Sequence, residues 1–385
     1  MEPDQIVRAA NEARAIGGSR LGELDLMETL VDYPGAACTI VRCRTMRAQA
    51  SGTVIVKHWN ADQDAMRTEW IALKYLGGLS STIPLAPALY AAIPQASVLV
   101  MEDLDGNGDN LVGNILYSRD ARRAEDALVA LGAAVGRLHA ATVPRVDDFL
   151  DVRDRIGSGQ TSRHRIHRIH RIPALMRSFE DALGAVGGSL SPGGRREIER
   201  AIVEVIDPGP FLVFTHGDVA PGNAFYNGSH VRLFDFETSD VRHALLDGSF
   251  ARLRYLHSVW ARRIPNAVQH RIMDAYRAEL VAGCPEAAED DLFDVALLSC
   301  SFAWVAALCE ELPAAWREDR KWGRATMRQR IVAALEHFHR LALERGTFEA
   351  LAADLHTVQV RLEARWPQAD CTLPTFPAFH DQVGS

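Results

Sequence analysis

One stretch constrains this chain more than any other: residues 211–238, FLVFTHGDVAPGNAFYNGSHVRLFDFET. Short apolar runs bracket a compact polar loop. The pattern predicts a strand, a loop over 216–223, a second strand, a turn at Asn227-Gly228, a third strand over 231–234 and then Asp235. Three oxygen-bearing side chains, Asp218, Asn223 and Asp235, would then stand at the ends of adjacent strands. Magnesium prefers such carboxylate and amide oxygens, because the ion is hard, small and rarely fully dehydrated. Phosphoryl transfer asks for positioning and charge neutralisation more than for covalent chemistry, and a carboxylate must accept the proton of the attacking hydroxyl. Asp218 is the candidate for that proton, which leaves Asn223 and Asp235 to hold metal. The bland alternative is an ordinary β-hairpin with polar loop residues.

The flanking text sets the scaffold. Residues 24–31 and 38–43 are apolar-rich runs separated by the turn-forming Asp32-Tyr33-Pro34-Gly35, and 53–58 (TVIVKH) is rich in β-branched residues. A helix is predicted over 62–76, with Met66, Trp70, Leu73 and Leu76 at helical spacing and Gly77-Gly78 to end it. Strands follow over 88–93 and 97–101, so the first hundred residues read as strands with one helix among them. Residues 102–108, EDLDGNG, read as a linker. Beyond them the pattern is mainly helical, beginning with an amphipathic helix over 124–142 that carries Leu128, Leu131, Val135 and Leu138 on one face. A loop over 184–194 interrupts it, and helices resume after Asp247 to about Trp366. The expectation is an α+β, two-lobed chain, with a strand-rich lobe over 1–103 and a larger helical lobe over 104–385.

Composition narrows the function classes. At 385 residues, with 48% hydrophobic and 24% charged residues, the profile is that of a soluble globular protein. A net charge of −8 gives no nucleic-acid footprint. The six cysteines are scattered without a C-x-x-C pair, which argues against a zinc site or a disulfide framework and fits a reducing cytoplasm. The first residues lack the apolar core of a signal peptide. The weakly polar stretch 295–309 is shorter than the roughly 18–20 residues that span a bilayer, so a buried helix is expected there rather than a membrane segment.

H-G-D-x-x-x-x-N followed by D-F-E, as it stands from His216 to Glu237, resembles the aminoglycoside phosphotransferase and choline kinase superfamily, relatives of protein kinases. The resemblance implies a protein-kinase-like fold, Asp218 as catalytic base, Asn223 and Asp235 as magnesium ligands, and His216 and Gly217 as residues that shape the loop. It also gives weight to a lysine. Only Lys57, Lys74 and Lys321 occur in a chain with 42 basic residues, and Lys57 falls inside a predicted strand. With Glu69 in the following helix, Lys57 looks like the kinase lysine that holds the α- and β-phosphates and the glutamate that orients it. The alternatives are a strand-edge surface lysine and a solvated helix face.

The same resemblance makes residues 98–104 a strand-to-hinge passage. The Glu102 carbonyl and Leu104 amide would meet an adenine, and Met101 would line the base pocket. Asp247 resembles the aspartate that braces the catalytic loop; His139 is equally well a histidine at a helix C-terminus. The glycine-rich phosphate loop expected between the first two strands is reduced to Gly35-Ala36-Ala37.

Two further features invite function. RHRIHRIHRI at 163–172 repeats every three residues, which on a helix spreads its histidines around the surface, so a basic helix face is favoured over a metal site. Residues 201–385 hold 18 basic and 25 acidic side chains, a net of −7, with clusters at Glu286, Glu289, Asp290, Asp291 and at Glu310, Glu311. An acidic cleft there would suit a polycationic acceptor such as an aminoglycoside, although solvated helix faces explain the same residues. The expected activity is ATP-dependent phosphorylation, with GTP possible as donor, of a hydroxyl on a small antibiotic or metabolite in the presence of Mg²⁺. The alternative is an idle kinase-like module. The acceptor and the oligomeric state are left open.

Overall fold

The computed structural model describes residues 2–17, 22–31, 36–45, 52–104, 110–157 and 172–382. Helix α1 (Pro3–Gly17) is followed by strands β1 (Leu24–Val31), β2 (Cys38–Thr45) and β3 (Thr53–Trp59), helix α2 (Gln63–Leu76), and strands β4 (Leu89–Ile93) and β5 (Val98–Glu102). The strands form one antiparallel sheet in the order β1-β2-β3-β5-β4, which puts β3, the strand of Lys57, at its centre. The edge-strand alternative for Lys57 therefore fails.

Alternation along the strands divides the sheet into two chemistries. Val41, Cys43, Val54, Val56, Val98 and Val100 point to one face, where Ile6, Val7 and Ala10 of α1 cover them. The opposite face carries Ile55, Lys57, Leu99 and Met101, as the registers Ile55↔Met101 and Lys57↔Leu99 require. Helix α1 is a second helix in a region where one was expected. Among the described side chains its apolar stripe is Ile6, Val7 and Ala10 in a polar text, and the sheet face they cover supplies the reason to fold. Asp62 starts α2 by accepting from the Ala65 amide at 2.9 Å, so the helix begins one residue later than its cap.

After β5 the chain is mainly helical: α3 (Val112–Leu116), α4 (Ala121–Thr142), α5 (Val146–Ile156), α6 (Ile172–Ala185) and α7 (Pro192–Ile206). Four short strands follow, β6 (Leu212–Thr215), β7 (Ala224–Tyr226), β8 (Val231–Leu233) and β9 (Asp240–His243), then α8 (Ala244–Gly248), α9 (Asn266–Leu280), α10 (Asp290–Cys309) and α11 (Leu312–Arg317). A small hairpin, β10 (Lys321–Trp322) with β11 (Ala325–Thr326), precedes α12 (Met327–Arg345), α13 (Glu349–Arg365) and α14 (Gln368–Cys371). Helix α10 is 20 residues long and apolar enough by composition to cross a membrane, longer than the stretch expected there. Most of it is buried among its neighbours, including Phe293, Leu297, Cys300, Trp304 and Leu308, so it is the core helix of this half.

Close packing of α4 on α9 prepares the site. A Cβ at Gly132 or Gly136 would come within 2.4 Å of the Ile272 carbonyl oxygen or 2.3 Å of that of Tyr276, so only glycine lets the two backbones approach. One turn on, buried His139 reaches the Tyr276 hydroxyl at 3.1 Å and Asp247 at 3.4 Å.

Candidate active site

The polar segment folds as two ribbons rather than one run of adjacent strands. β7 and β8 make the hairpin around Asn227-Gly228, whereas β6 pairs with β9, a strand the sequence did not announce. Asp218 lies beyond the end of β6, Asn223 just before β7 and Asp235 just after β8. The Phe234 amide donates to the Asn223 carbonyl at 3.0 Å, which closes the hairpin beside Asp235.

Each residue of the loop has a physical reason. Gly217 has φ +87°, a conformation that disfavours any side chain. Its amide and that of His216 donate to the two carboxylate oxygens of Asp247, at 3.0 and 2.6 Å. Burial pushes the Asp247 carboxyl up, but hydrogen bonding and charge from His139, with Arg242 and His216, hold it below the ordinary range. The buried His216 ring accepts from the Asp218 amide on Nδ1 at 3.2 Å, so its Nε2 carries the proton donated to the Phe234 carbonyl at 2.9 Å. His216 thus spans both ends of the motif.

Asn223 Nδ2 donates to the Asp218 carbonyl at 2.9 Å and to its Oδ2 at 3.0 Å, which fixes the direction of the carboxylate. Burial first, and then the charge of Asp235, push the Asp218 carboxyl up to about 7. Asp235 stands at φ +68°, a left-handed conformation that costs a non-glycine residue about 1 kcal/mol or more and marks sites held by their surroundings.

Lys57 comes to this loop from the sheet. Only 4% exposed, its Nζ donates to Glu69 Oε2 at 2.8 Å, forms a short ion pair with Asp235 Oδ1 and lies 3.6 Å from Glu237. Glu69 is 1% exposed, so it faces inward from α2 and is no solvated helix face. Burial pushes its carboxyl up to about 7, against the pull of the Lys57 charge. Glu237 was not singled out from the sequence, although it stands in the D-F-E triplet; it also accepts from Trp59 Nε1 at 3.2 Å. Carboxylate oxygens of Glu69, Asp235 and Glu237 lie within 4.8 Å of one another. Three carboxylates around one ammonium leave negative charge, and their hard oxygens fit a magnesium ion.

Of the expected hinge, Met101 lies on the Lys57 face of the sheet, whereas Glu102 stands opposite Val54 of the other face. Met101 is buried, and Glu102 ends β5 with its amide donating to the Ala88 carbonyl at 2.9 Å. The Glu102 carboxylate takes the Arg232 guanidinium of β8 in a two-pronged pair at 2.7 and 2.6 Å, a tie between sheet and hairpin with no signal in the sequence. Leu104 follows, half-buried, just before residues 105–109, which lie outside the described residues together with much of the expected linker. Gly35 and residues 158–171, most of the arginine–histidine repeat, are outside them too.

A cavity of about 330 Å³ opens beside Asp218 and Asn223, with Glu237, Trp260 and Trp322 among its walls. None of the acidic clusters at 286–291 or 310–311 lines it among the described residues. Asp290 instead pairs with Arg277 at 2.7 Å, Glu311 pairs with Arg320 at 3.4 Å, and Asp291 lines a different groove with Arg200 and Arg345.

Residues 44–289 match the family described as phosphotransferase enzyme family, APH. The chain belongs to that family. It is therefore a phosphotransferase-family enzyme, a small-molecule kinase, and its α+β fold is the kinase-like one of APH proteins. No curated protein matches the sequence. Among solved structures, this APH chain is similar to a macrolide 2'-phosphotransferase from Brachybacterium faecium at 15% identity and TM-score 0.46, covering 94% of this chain and 99% of that one. A choline kinase from Cryptosporidium parvum matches at 13% identity and TM-score 0.49, covering 92% and 100%. A spectinomycin phosphotransferase, solved with ADP and spectinomycin, matches at 10% identity and TM-score 0.37, covering 91% and 98%. At such values the likenesses say nothing of the acceptor.

Proposed function

We propose that this chain moves the γ-phosphoryl group of ATP to a hydroxyl of a small molecule seated in the cavity beside Asp218. The single observation that carries the proposal is the convergence of Lys57, Glu69 and Asp235 on one point between the sheet and the Asp218 loop. A buried ammonium held by two carboxylates is available to phosphate oxygens once they displace Asp235, and Glu69 keeps it aimed. Asp218 takes the proton of the attacking hydroxyl, oriented by Asn223 and by the loop that Asp247 holds. Asn223 and Asp235 are the residues to hold magnesium, with Glu237 beside them. When bound, the ion supplies neutralisation of charge on the phosphates. The adenine is assigned to the Glu102–Leu104 backbone and to Met101.

A phosphate-transfer screen over hydroxylated compounds, with ATP and GTP run in parallel and with and without Mg²⁺, tests the proposal. Mg²⁺-dependent transfer to at least one alcohol is the expected result. Absence of nucleotide binding in the unmodified chain would leave an idle module in its place.

A further inference from the structure

The cavity beside Asp218 has a polar side, with Asp218, Asn223 and Glu237, and an aromatic side. The aromatic side is made by Trp260, Trp304 and Trp322, with Phe250 and His257 also in the lining. Trp304 is fixed from two sides: its Nε1 donates to the Leu246 carbonyl at 2.9 Å, and Phe250 meets it edge-on at 5.3 Å between ring centroids. Trp260 lies in a slot. A Cβ at Gly113 or Gly222 would come within 2.4 or 2.5 Å of its ring, so the tryptophan rests directly on the loop that joins Asp218 to Asn223. This explains a glycine at 222 that the motif alone does not.

A buried arginine assembles the remaining wall. Arg330 of α12 donates to the Ser258 carbonyl at 2.8 Å, to the Trp322 carbonyl at 2.5 Å and to the Leu256 carbonyl. It thereby ties the segment before Trp260 to the β10 strand that presents Trp322. Its guanidinium also lies 4.3 Å from the centroid of the Trp322 ring.

Charge decides what such a pocket takes. Of the two carboxylates at its mouth, Glu237 shares the Lys57 ammonium at 3.6 Å and accepts from Trp59, while Asp218 accepts from the neutral Asn223 amide. One π face of Trp322 already holds a guanidinium, so a cation approaching the other face meets repulsion as well as the ring. A flat apolar ring face loses nothing by stacking there, and one hydroxyl can still reach Asp218. The volume, about 330 Å³, is at the lower end of the ~300–1,000 Å³ common for ligand pockets, so the molecule is small.

We infer that the acceptor is an uncharged alcohol carried on a ring with an apolar face, of the size of an aryl glycoside or cyclitol derivative, and that Trp260 and Trp322 select it over polycations and quaternary ammonium alcohols. The inference rests on the phosphotransfer reading above.

Calorimetry on the full chain saturated with Mg·AMP-PNP tests it, with phenyl β-D-glucoside, choline and kanamycin as probes. The glucoside is expected to bind at least about tenfold more tightly than either cation. Trp322→Ala should weaken it about tenfold, and Trp260→Phe, which keeps the slot between the glycines filled, several-fold. AMP-PNP affinity measured in the same variants shows whether they fold. Choline or kanamycin binding as tightly as the glucoside would overturn the inference, as would no binding of the glucoside, or its unchanged binding to both folded variants. Failure of the unmodified chain to bind Mg·AMP-PNP would overturn the phosphotransfer reading itself, a different result from failure of the glucoside alone.

Discussion

Asp247 holds the backbone amide of Gly217 on its Oδ1 at 3.0 Å, and this contact fixes the turn immediately ahead of Asp218. Its other oxygen takes the His216 amide. Asp247→Ala removes both bonds from a buried loop, and the Asp218 carboxylate loses its fixed place relative to the γ-phosphate. Transfer should fall about 10²-fold, with a much smaller change in nucleotide affinity. Single-turnover rates and calorimetry on the same variant check this. A rate within threefold of the parent would show that the brace is dispensable.

Lys57 sits between buried Glu69 and Asp235, where its compact ammonium fits and a guanidinium fork does not. Lys57→Arg should fold, because it preserves the charge that Glu69 needs, yet lose at least about tenfold in kcat/KM for ATP. Steady-state kinetics decide. Full activity in this variant would mean that the lysine has no phosphate to hold.

Nucleotide affinity should depend on Mg²⁺ and on Asp235 more than on Asp218. Asp235 belongs to the cluster of carboxylates suited to the ion, whereas the Asp218 carboxylate is turned to Asn223. Calorimetry of AMP-PNP with Asp235→Ala and Asp218→Ala, with and without Mg²⁺, separates the two roles. Identical affinities in both variants and in the parent would refute the metal assignment.

In the nucleotide-free protein the contributions of Asp218 and Glu69 to stability should weaken as pH rises. Asp218 and Glu69 both titrate near 7 in the folded chain, above the ordinary carboxylate range, so folding favours their protonated forms. The stability they contribute is complete below about pH 4 and is lost progressively as pH rises through 7. Asp218→Asn removes one of the two penalties. Its Tm, relative to the parent, should therefore be higher at pH 8 than at pH 5, by about 1–3 °C. A difference of the opposite sign would show that Asp218 is stabilised as a carboxylate.

Much of this arrangement was legible because its determinants are local. The strands expected over 53–58 and 97–101 announce themselves by β-branched and apolar runs, and the Asp218 loop by Gly217, whose positive φ is written in residue type. Helix α1 and strand β9 were not legible, since each exists only because a partner surface waits for it: the outer sheet face for one, β6 for the other. The cavity walls were least legible of all. Trp260, Trp304 and Trp322 come from three separate segments, and nothing near any of them shows that Gly222 and Arg330 will bring them together. The acidic clusters agree with the plainer of the two readings, solvated helix faces, since Asp290 pairs with Arg277 and Glu311 with Arg320.

The account stands on Asp218 as the base, and Asp218→Asn tests it most directly. Asparagine keeps the shape of the side chain and its contact with Asn223, and removes only the proton acceptor. The measurement is the rate of γ-phosphate transfer from Mg·ATP to an acceptor found in the screen, with AMP-PNP affinity measured on the same preparation. The account predicts a loss of about 10²–10⁴-fold in transfer while nucleotide affinity stays within about twofold. A variant that keeps more than about a tenth of the parent rate would contradict it, because the proton would then be leaving by another route.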